Sequence, residues 1–187
     1  MAPSLKRLAV MGSMAVAIGS LIGCGARESV HPFSSKHVHD VFMRQNLKVT
    51  TVFDAASATD REIARLAEDS TPGRILGRQR MLQAEAAAFR FMRTHHISEL
   101  DVPSGSADGS IWVFVAPDPQ TARRLATGER RIDSKEHAQC VKQLAKPGWT
   151  GTCGRIDVTQ RGNVVAVYPG TTRSSVKQRL GRAVAML

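Results

Sequence analysis

The sequence predicts an α+β fold, a two-layer domain with helices packed on a partly antiparallel sheet of four to five strands. Three observations lead to this prediction. Helical and strand patterns are interspersed along the chain. Residues 111–116 form a continuous apolar run, which is typical of a buried strand. Two short strands within 154–168 flank Arg161-Gly162, which predicts a β-hairpin, and an amphipathic pattern at 174–186 predicts a C-terminal helix after it.

The first elements have recognisable boundaries. Ser34 or Ser35 can act as the N-cap of a helix, and Asn46 can end that helix in the left-handed conformation. The β-branched segment 47–53 follows and predicts a strand. The sequence therefore predicts that the sheet begins directly after one short helix.

Two helices are predicted next. Thr59 and Glu62 form a capping-box pattern at the start of the first. Residues 77–95 have the longest helical pattern, although residues 74–80 could instead begin as a strand. The segment 102–110 is rich in turn-forming residues and is interpreted as a loop.

Two further helices are predicted between the run at 111–116 and the hairpin. Asp118 is a good N-cap for the first, which Gly128 is expected to end. Asp133, followed by Glu136, resembles a capping box for the second. The break at Gly128 separates the two in this interpretation.

The N-terminal segment has the pattern of an export signal. Lys6 and Arg7 precede a largely apolar, uncharged stretch, and small residues follow it. Leu21-Ile22-Gly23-Cys24 then resembles the lipobox of bacterial lipoprotein signal peptides. The resemblance covers only this leader. It implies cleavage before Cys24, acylation of the Cys24 thiol, and attachment to the cell membrane on its extracytoplasmic side. The predicted organisation is a signal peptide at 1–23, a flexible tether at 24–35 and one domain at 36–187.

Composition narrows the possible functions. The 187 residues carry a formal net charge of +10, and 42% of them are hydrophobic, which favours a folded domain over a disordered chain. The basic residues are scattered and aromatic residues are few, so nucleic acid is not an expected partner. No phosphate-binding or dinucleotide-binding glycine motif is present, and no cofactor or metal is predicted.

Cys140 and Cys153 are the two cysteines outside the leader. Their spacing matches neither a redox CxxC motif nor a zinc pattern, and export to an oxidising compartment favours a structural disulfide between them. The alternative is a reactive thiol, in which His137 would act as a base for Cys140 three residues further along a helix. This alternative requires that Cys140 be unbridged.

The leading functional hypothesis is a lipid-anchored binding or interaction module with no chemistry of its own. Its contact surface is predicted near Trp149 and the 103–110 loop, with basic pairs at Arg123-Arg124 and Arg130-Arg131. The partners expected are the membrane, through the lipid on Cys24, and an envelope protein or anionic polymer. Two alternatives remain open: a hydrolase or thiol-dependent enzyme using Cys140 with His137, and a basic module that docks on anionic envelope polymers.

Overall fold

The computed structural model describes residues 32–71, 73, 77–105, 109–146, 148 and 151–187. Within these residues the chain forms five helices and five strands. The helices are α1 Ser35–Arg44, α2 Asp60–Ser70, α3 Arg78–Thr94, α4 Pro119–Leu144 and α5 Ser174–Ala185, and the strands are β1 Thr50–Phe53, β2 Ser98–Pro103, β3 Ser110–Val115, β4 Ile156–Arg161 and β5 Val164–Pro169. The predicted α+β class, the closing hairpin β4–β5 and the C-terminal helix are confirmed.

The five strands form one sheet in the order β1-β2-β3-β5-β4, and every neighbouring pair is antiparallel. Strand β2 was not predicted, although it lies between β1 and β3. Its apolar residues Leu100 and Val102 face one side of the sheet, while Glu99 and Asp101 alternate with them. Acidic residues are unusual in a central strand, and they hide the apolar periodicity of this segment.

Both faces of the sheet are covered by helices, so the domain has three layers instead of the two predicted. Alternate residues of β3 and β5 belong to two separate cores. One core contains apolar residues of α2, α3 and α4, here called the α4 face. The other contains apolar residues of α1 and α5, here called the α5 face. Because β3 is buried on both faces, its successive side chains at 111–115 are all apolar. This explains the continuous apolar run at 111–116.

Helix α4 runs unbroken for 26 residues, which corrects the prediction of two helices. Gly128 lies inside it. Glycine destabilises a helix by only about 1 kcal/mol relative to alanine, and tertiary packing outweighs that cost. The following turn is buried against the sheet through Glu129, Ile132 and Asp133. Asp133 is therefore an interior residue of α4 and not an N-cap. The other predicted caps are confirmed at the starts of α1, α2 and α4, where Ser34, Thr59 and Asp118 accept hydrogen bonds from backbone N–H groups.

The domain begins before α1, within the segment assigned to the tether. The backbone N–H of Phe33 donates to Asn163 Oδ1 at 2.8 Å, and Asn163 Nδ2 donates back to the carbonyl of Phe33 at 2.9 Å. The same amide nitrogen donates to the carbonyl of Ala116 at 2.6 Å. Asn163 is 1% exposed and lies in the turn between β4 and β5. Its side chain therefore joins the start of the domain to the hairpin and to the end of β3.

The antiparallel register gives the sheet two distinct ends. At the hairpin end, the β4–β5 turn lies beside the end of β3 and the start of β2, because Val164 pairs with Val115 and Val115 pairs with Ser98. At the opposite end, here called the loop end, lie Pro103 and Pro169, where β2 and β5 finish. Six-residue strands separate the two ends by about 17 Å.

Candidate functional site

The disulfide between Cys140 and Cys153 is present, as predicted. The Cα atoms of the two cysteines are 5.7 Å apart, and the bridge joins the last turns of α4 to the segment just before β4. With both sulfurs bonded to each other, Cys140 has no thiol to act as a nucleophile. His137 is half-buried, and its Nδ1 atom has no hydrogen-bond partner among the described residues. The Cys140–His137 arrangement therefore lacks its reactive group in this structure.

The predicted basic pairs lie on α4. Arg123 and Arg131 are exposed, Arg124 is half-buried, and the guanidinium of Arg130 donates to the carbonyl of Val158 in the edge strand β4 at 3.1 Å. Trp149 lies outside the described residues. The pairs belong to the helix layer on the α4 face and do not meet the 103–110 loop in a common groove among the described residues.

A groove is found instead at the loop end, on the α5 face. Its volume is about 230 Å³, and its walls come from the segment after α1, the end of β2 and the first turn of α5. Pro103 and Gly105 line it, so the predicted loop does take part. The groove therefore brings together three segments that are far apart in the sequence.

The polar lining of the groove is basic. Lys48, Arg173 and Arg179 line it together with Asn46 and Ser175, and no Asp or Glu is among the described lining residues. Neither Lys48 nor Arg173 forms an ion pair with any described residue. Three cations close to one cavity, with no acidic residue among its described lining residues, create a positive potential that favours an anionic group.

Arg179 and Arg173 are held in place by local contacts. The guanidinium of Arg179 donates to the carbonyl of Asn46 at 2.9 Å and to that of Ser175 at 3.3 Å. Asn46 has φ = 55°, which confirms the predicted left-handed end of α1 and turns its carbonyl toward α5. The aliphatic stem of Arg173 lies so close to Gly105 that a Cβ there would sit 3.0 Å from its Cδ. Gly105, with φ = 72°, therefore leaves the space that the arginine stem occupies.

The N-terminus of α5 opens at this groove. Arg173 is the N-cap residue, it makes no capping hydrogen bond with its side chain, and the first turn contains no acidic residue. Free N–H groups and the helix dipole favour an anion at such a position. The apolar part of the lining consists of Leu47, Val102 and Val176. The groove thus combines a basic polar lining with an apolar lining.

Sequence reasoning did not single out Lys48, Arg173 or Arg179. Lys48 lies more than 120 residues before the two arginines, and only the packing of α5 beside α1 brings it close to them. One signal was available: residues 171–175 (TTRSS) begin the last helix with an arginine and no acid in the first turn. The start of α3 at Gly77 also lacks a side-chain cap, whereas Ser34, Thr59 and Asp118 cap the starts of α1, α2 and α4.

Buried carboxyl groups lie on the α4 face and do not belong to the groove. Glu129 is 0% exposed, and neither of its carboxyl oxygens has a hydrogen-bond partner among the described residues. Burial, with additional repulsion from Glu136 and Glu99, raises the pKa of Glu129 to about 8. Within the described parts of the chain, no set of three His, Cys, Asp or Glu residues is arranged to hold a metal ion. None of the described helices is long and apolar enough to span a bilayer.

Comparisons with protein families, with curated proteins and with solved structures gave no match to this chain.

Proposed function

We propose that this protein is a lipid-anchored binding module on the extracytoplasmic side of the cell membrane, without catalytic activity of its own. Its ligand site is the groove lined by Lys48, Arg173 and Arg179. The ligand is an anionic group, a carboxylate or a phosphate, with a short apolar part beside it. An envelope protein or an anionic envelope polymer would supply such a group.

The observation that carries this proposal is the combination of cations and apolar residues in one small groove. A guanidinium offers paired donors that match a carboxylate or a phosphate, and a lysine adds a point charge. The volume of about 230 Å³ suits a terminal or side-chain group more than a whole cofactor, because pockets for drug-sized molecules begin at roughly 300 Å³. Leu47 and Val176 would then contact the apolar part of the ligand.

The binding proposal is tested by an NMR titration of the protein with N-acetyl-alanine, which joins a carboxylate to a small apolar group. The amide of this compound, which lacks the charge, is the matched control ligand, and inorganic phosphate is the second anion. We expect the largest shifts at residues 47–48 and 173–176 with the acid, and none with the amide. Shifts spread along α4, or equal shifts with acid and amide, would contradict the assignment of the groove.

The lipid anchor is supported by the sequence Leu21-Ile22-Gly23-Cys24 and by the Cys140–Cys153 bridge. A stable disulfide is the expected state of a cysteine pair outside the reducing cytoplasm. The test is the intact mass of the protein from the host membrane fraction. We expect a chain that starts at Cys24, carries acyl groups and reacts with an alkylating reagent only after reduction. A chain without acyl groups would refute the anchor, and alkylation of Cys140 without reduction would revive the thiol-enzyme alternative.

A second candidate, non-specific docking on polyanions, is favoured by one observation. Arg123 and Arg131 on α4 are exposed, and no ion pair is found for either among the described residues. Docking through these residues would weaken steeply with salt and would respond to a double substitution of both arginines by glutamine. Binding in the groove would not respond to that substitution.

A further inference from the structure

We infer that the hydrogen bonds between Phe33 and Asn163 place the hairpin end of the domain toward the anchoring membrane, so that the basic groove faces away from it. The groove would then receive its anionic ligand from the compartment beyond the membrane, and not from the headgroups of its own bilayer. This inference rests on the proposed lipid anchor at Cys24. It adds the direction from which the partner approaches.

The chain leaves the domain at a fixed point. Asn163 holds both the N–H and the carbonyl of Phe33, which is a two-point attachment of the backbone. The Phe33 ring also covers Gly162, because a Cβ at that glycine would lie 3.1 Å from its Cε2 atom. Gly162 has φ = 53°, a conformation in which glycine is favoured. The chain therefore departs toward its N-terminus from the β4–β5 turn.

A short length of chain remains between Phe33 and the proposed lipid attachment. Only residues 24–32 separate Phe33 from the point of cleavage, and nine residues reach at most about 30 Å when fully extended. The hairpin end of the sheet therefore stays within that distance of the lipid attachment. A domain attached to a surface through one end presents its opposite end away from that surface on average.

The groove lies at the other end of the sheet. Arg173 follows β5, whose last residue is Pro169, and Pro103 is the last residue of β2. Both lie at the loop end, which the strands separate from Asn163 by about 17 Å. Asn46, two residues after the end of α1, also lines the groove. The anchoring point and the groove are thus at opposite ends of the domain.

A groove beside the anchoring membrane would meet phosphate-bearing headgroups at high local concentration. A groove at the far end meets instead the carboxylate or phosphate groups of soluble proteins or envelope polymers. The groove would recognise the same anionic groups in both cases. The orientation of the domain decides whether they come from lipid headgroups or from the compartment beyond the membrane. The membrane-distal position favours the second source.

The orientation is tested with the chain that begins at Cys24, which contains every described residue. Its Cys24 thiol is coupled to a maleimide lipid in a phosphatidylcholine nanodisc, and a small fraction of the lipids carries a nitroxide on the headgroup. Cys140 and Cys153 do not react while they are bridged. Paramagnetic broadening is read at backbone amides. We expect broadening at residues 160–163 that is several-fold larger than at residues 173–176.

The matched control moves the lipid to the other end, with Cys24→Ser and Ser175→Cys in the same chain. The broadening pattern should then invert, which shows that the measurement reports the attachment point. With the lipid on Cys24, equal broadening at both ends, or stronger broadening at 173–176, would overturn the inference. Because the lipid is attached chemically, this outcome is independent of native acylation and of ligand binding, each of which has its own test above.

Discussion

Asp133 in α4 accepts a hydrogen bond from the backbone N–H of Ile156 at 3.0 Å, at the first residue of the edge strand β4. Its other oxygen accepts from the guanidinium of Arg155 at 3.1 Å. The Asp133 side chain is 8% exposed, whereas that of Arg155 is 59% exposed. The buried carboxylate therefore fixes where β4 begins against α4, and the arginine is its solvent-facing partner.

We expect Asp133→Ala to destabilise the domain by about 1–3 kcal/mol, because it leaves the partly buried N–H of Ile156 without its acceptor. Arg155→Gln is the matched control, and it should cost less than about 1 kcal/mol since the arginine side chain is largely exposed and Asp133 keeps its bond to Ile156. Urea denaturation monitored by circular dichroism gives both values. Equal losses for the two variants would show that Ile156 does not depend on Asp133.

The attachment of Phe33 gives a local prediction. In Asn163→Ala the amide of Phe33 loses its acceptor and the carbonyls of Phe33 and Ala116 lose a donor. We expect the Phe33 amide to exchange its hydrogen at the rate of an exposed amide, and the domain to lose about 1–3 kcal/mol. Gln160→Ala, which removes a bond to Gly162 in the same turn, is the control and should leave the Phe33 amide protected. Protection at Phe33 that survives Asn163→Ala would contradict the attachment.

Glu129 predicts a dependence of stability on pH. Its ordinary pKa is 4.5 and its pKa in the folded protein is about 8, so the folded state holds a proton that the unfolded state has lost between these values. The contribution of Glu129 to stability is therefore fully present below pH 4.5 and decreases as pH rises toward 8, by at most about 1.4 kcal/mol per pH unit. Glu129→Gln removes this titration. Between about pH 5 and pH 8, the free energy of unfolding of the wild type should decrease relative to that of the variant. Parallel curves would contradict the assignment.

The disulfide predicts a change in stability without a change in fold. Replacement of Cys140 and Cys153 by serine opens a link between residues 13 apart in the sequence. We expect a loss of about 3 kcal/mol, which is the chain-entropy value for a loop of this size. Cys24→Ser is the control, because it leaves the bridge intact and should not change the unfolding midpoint. A double variant as stable as the wild type would show that α4 and β4 are held by Asp133 and packing alone.

Much of the fold was predictable from local patterns, because caps, hairpin turns and apolar runs are encoded within a few residues. Thr59 with Glu62, Asp118 and the Arg161-Gly162 turn are examples. The features that were missed depend on tertiary contacts. Strand β2 carries Glu99 at 2% exposure, and Gly128 remains helical because the turn after it is buried. Neither outcome is visible in a window of neighbouring residues.

The groove was the least predictable part of the molecule. The disulfide was predicted from the cysteine spacing and from the expected export of the chain, whereas Lys48 and Arg173 are ordinary surface residues in the sequence. Their meeting depends on α1 and α5 packing side by side on the α5 face. The missing side-chain cap at the start of α5 was the one local signal of the groove. It indicates a site only together with the neighbouring cations, which the fold brings there.

The central claim is that the groove binds an anion, and calorimetry on one pair of variants tests it most directly. Arg173→Gln removes a lining cation, while Arg182→Gln removes a cation of the same helix that lies outside the groove and contacts Gln45. With N-acetyl-alanine as ligand, we predict at least about tenfold weaker binding for Arg173→Gln, since a charge-assisted hydrogen bond contributes roughly 1.5–3 kcal/mol. Arg182→Gln should bind like the wild type. Equal affinities for the two variants, or no measurable binding by the wild type, would contradict the claim.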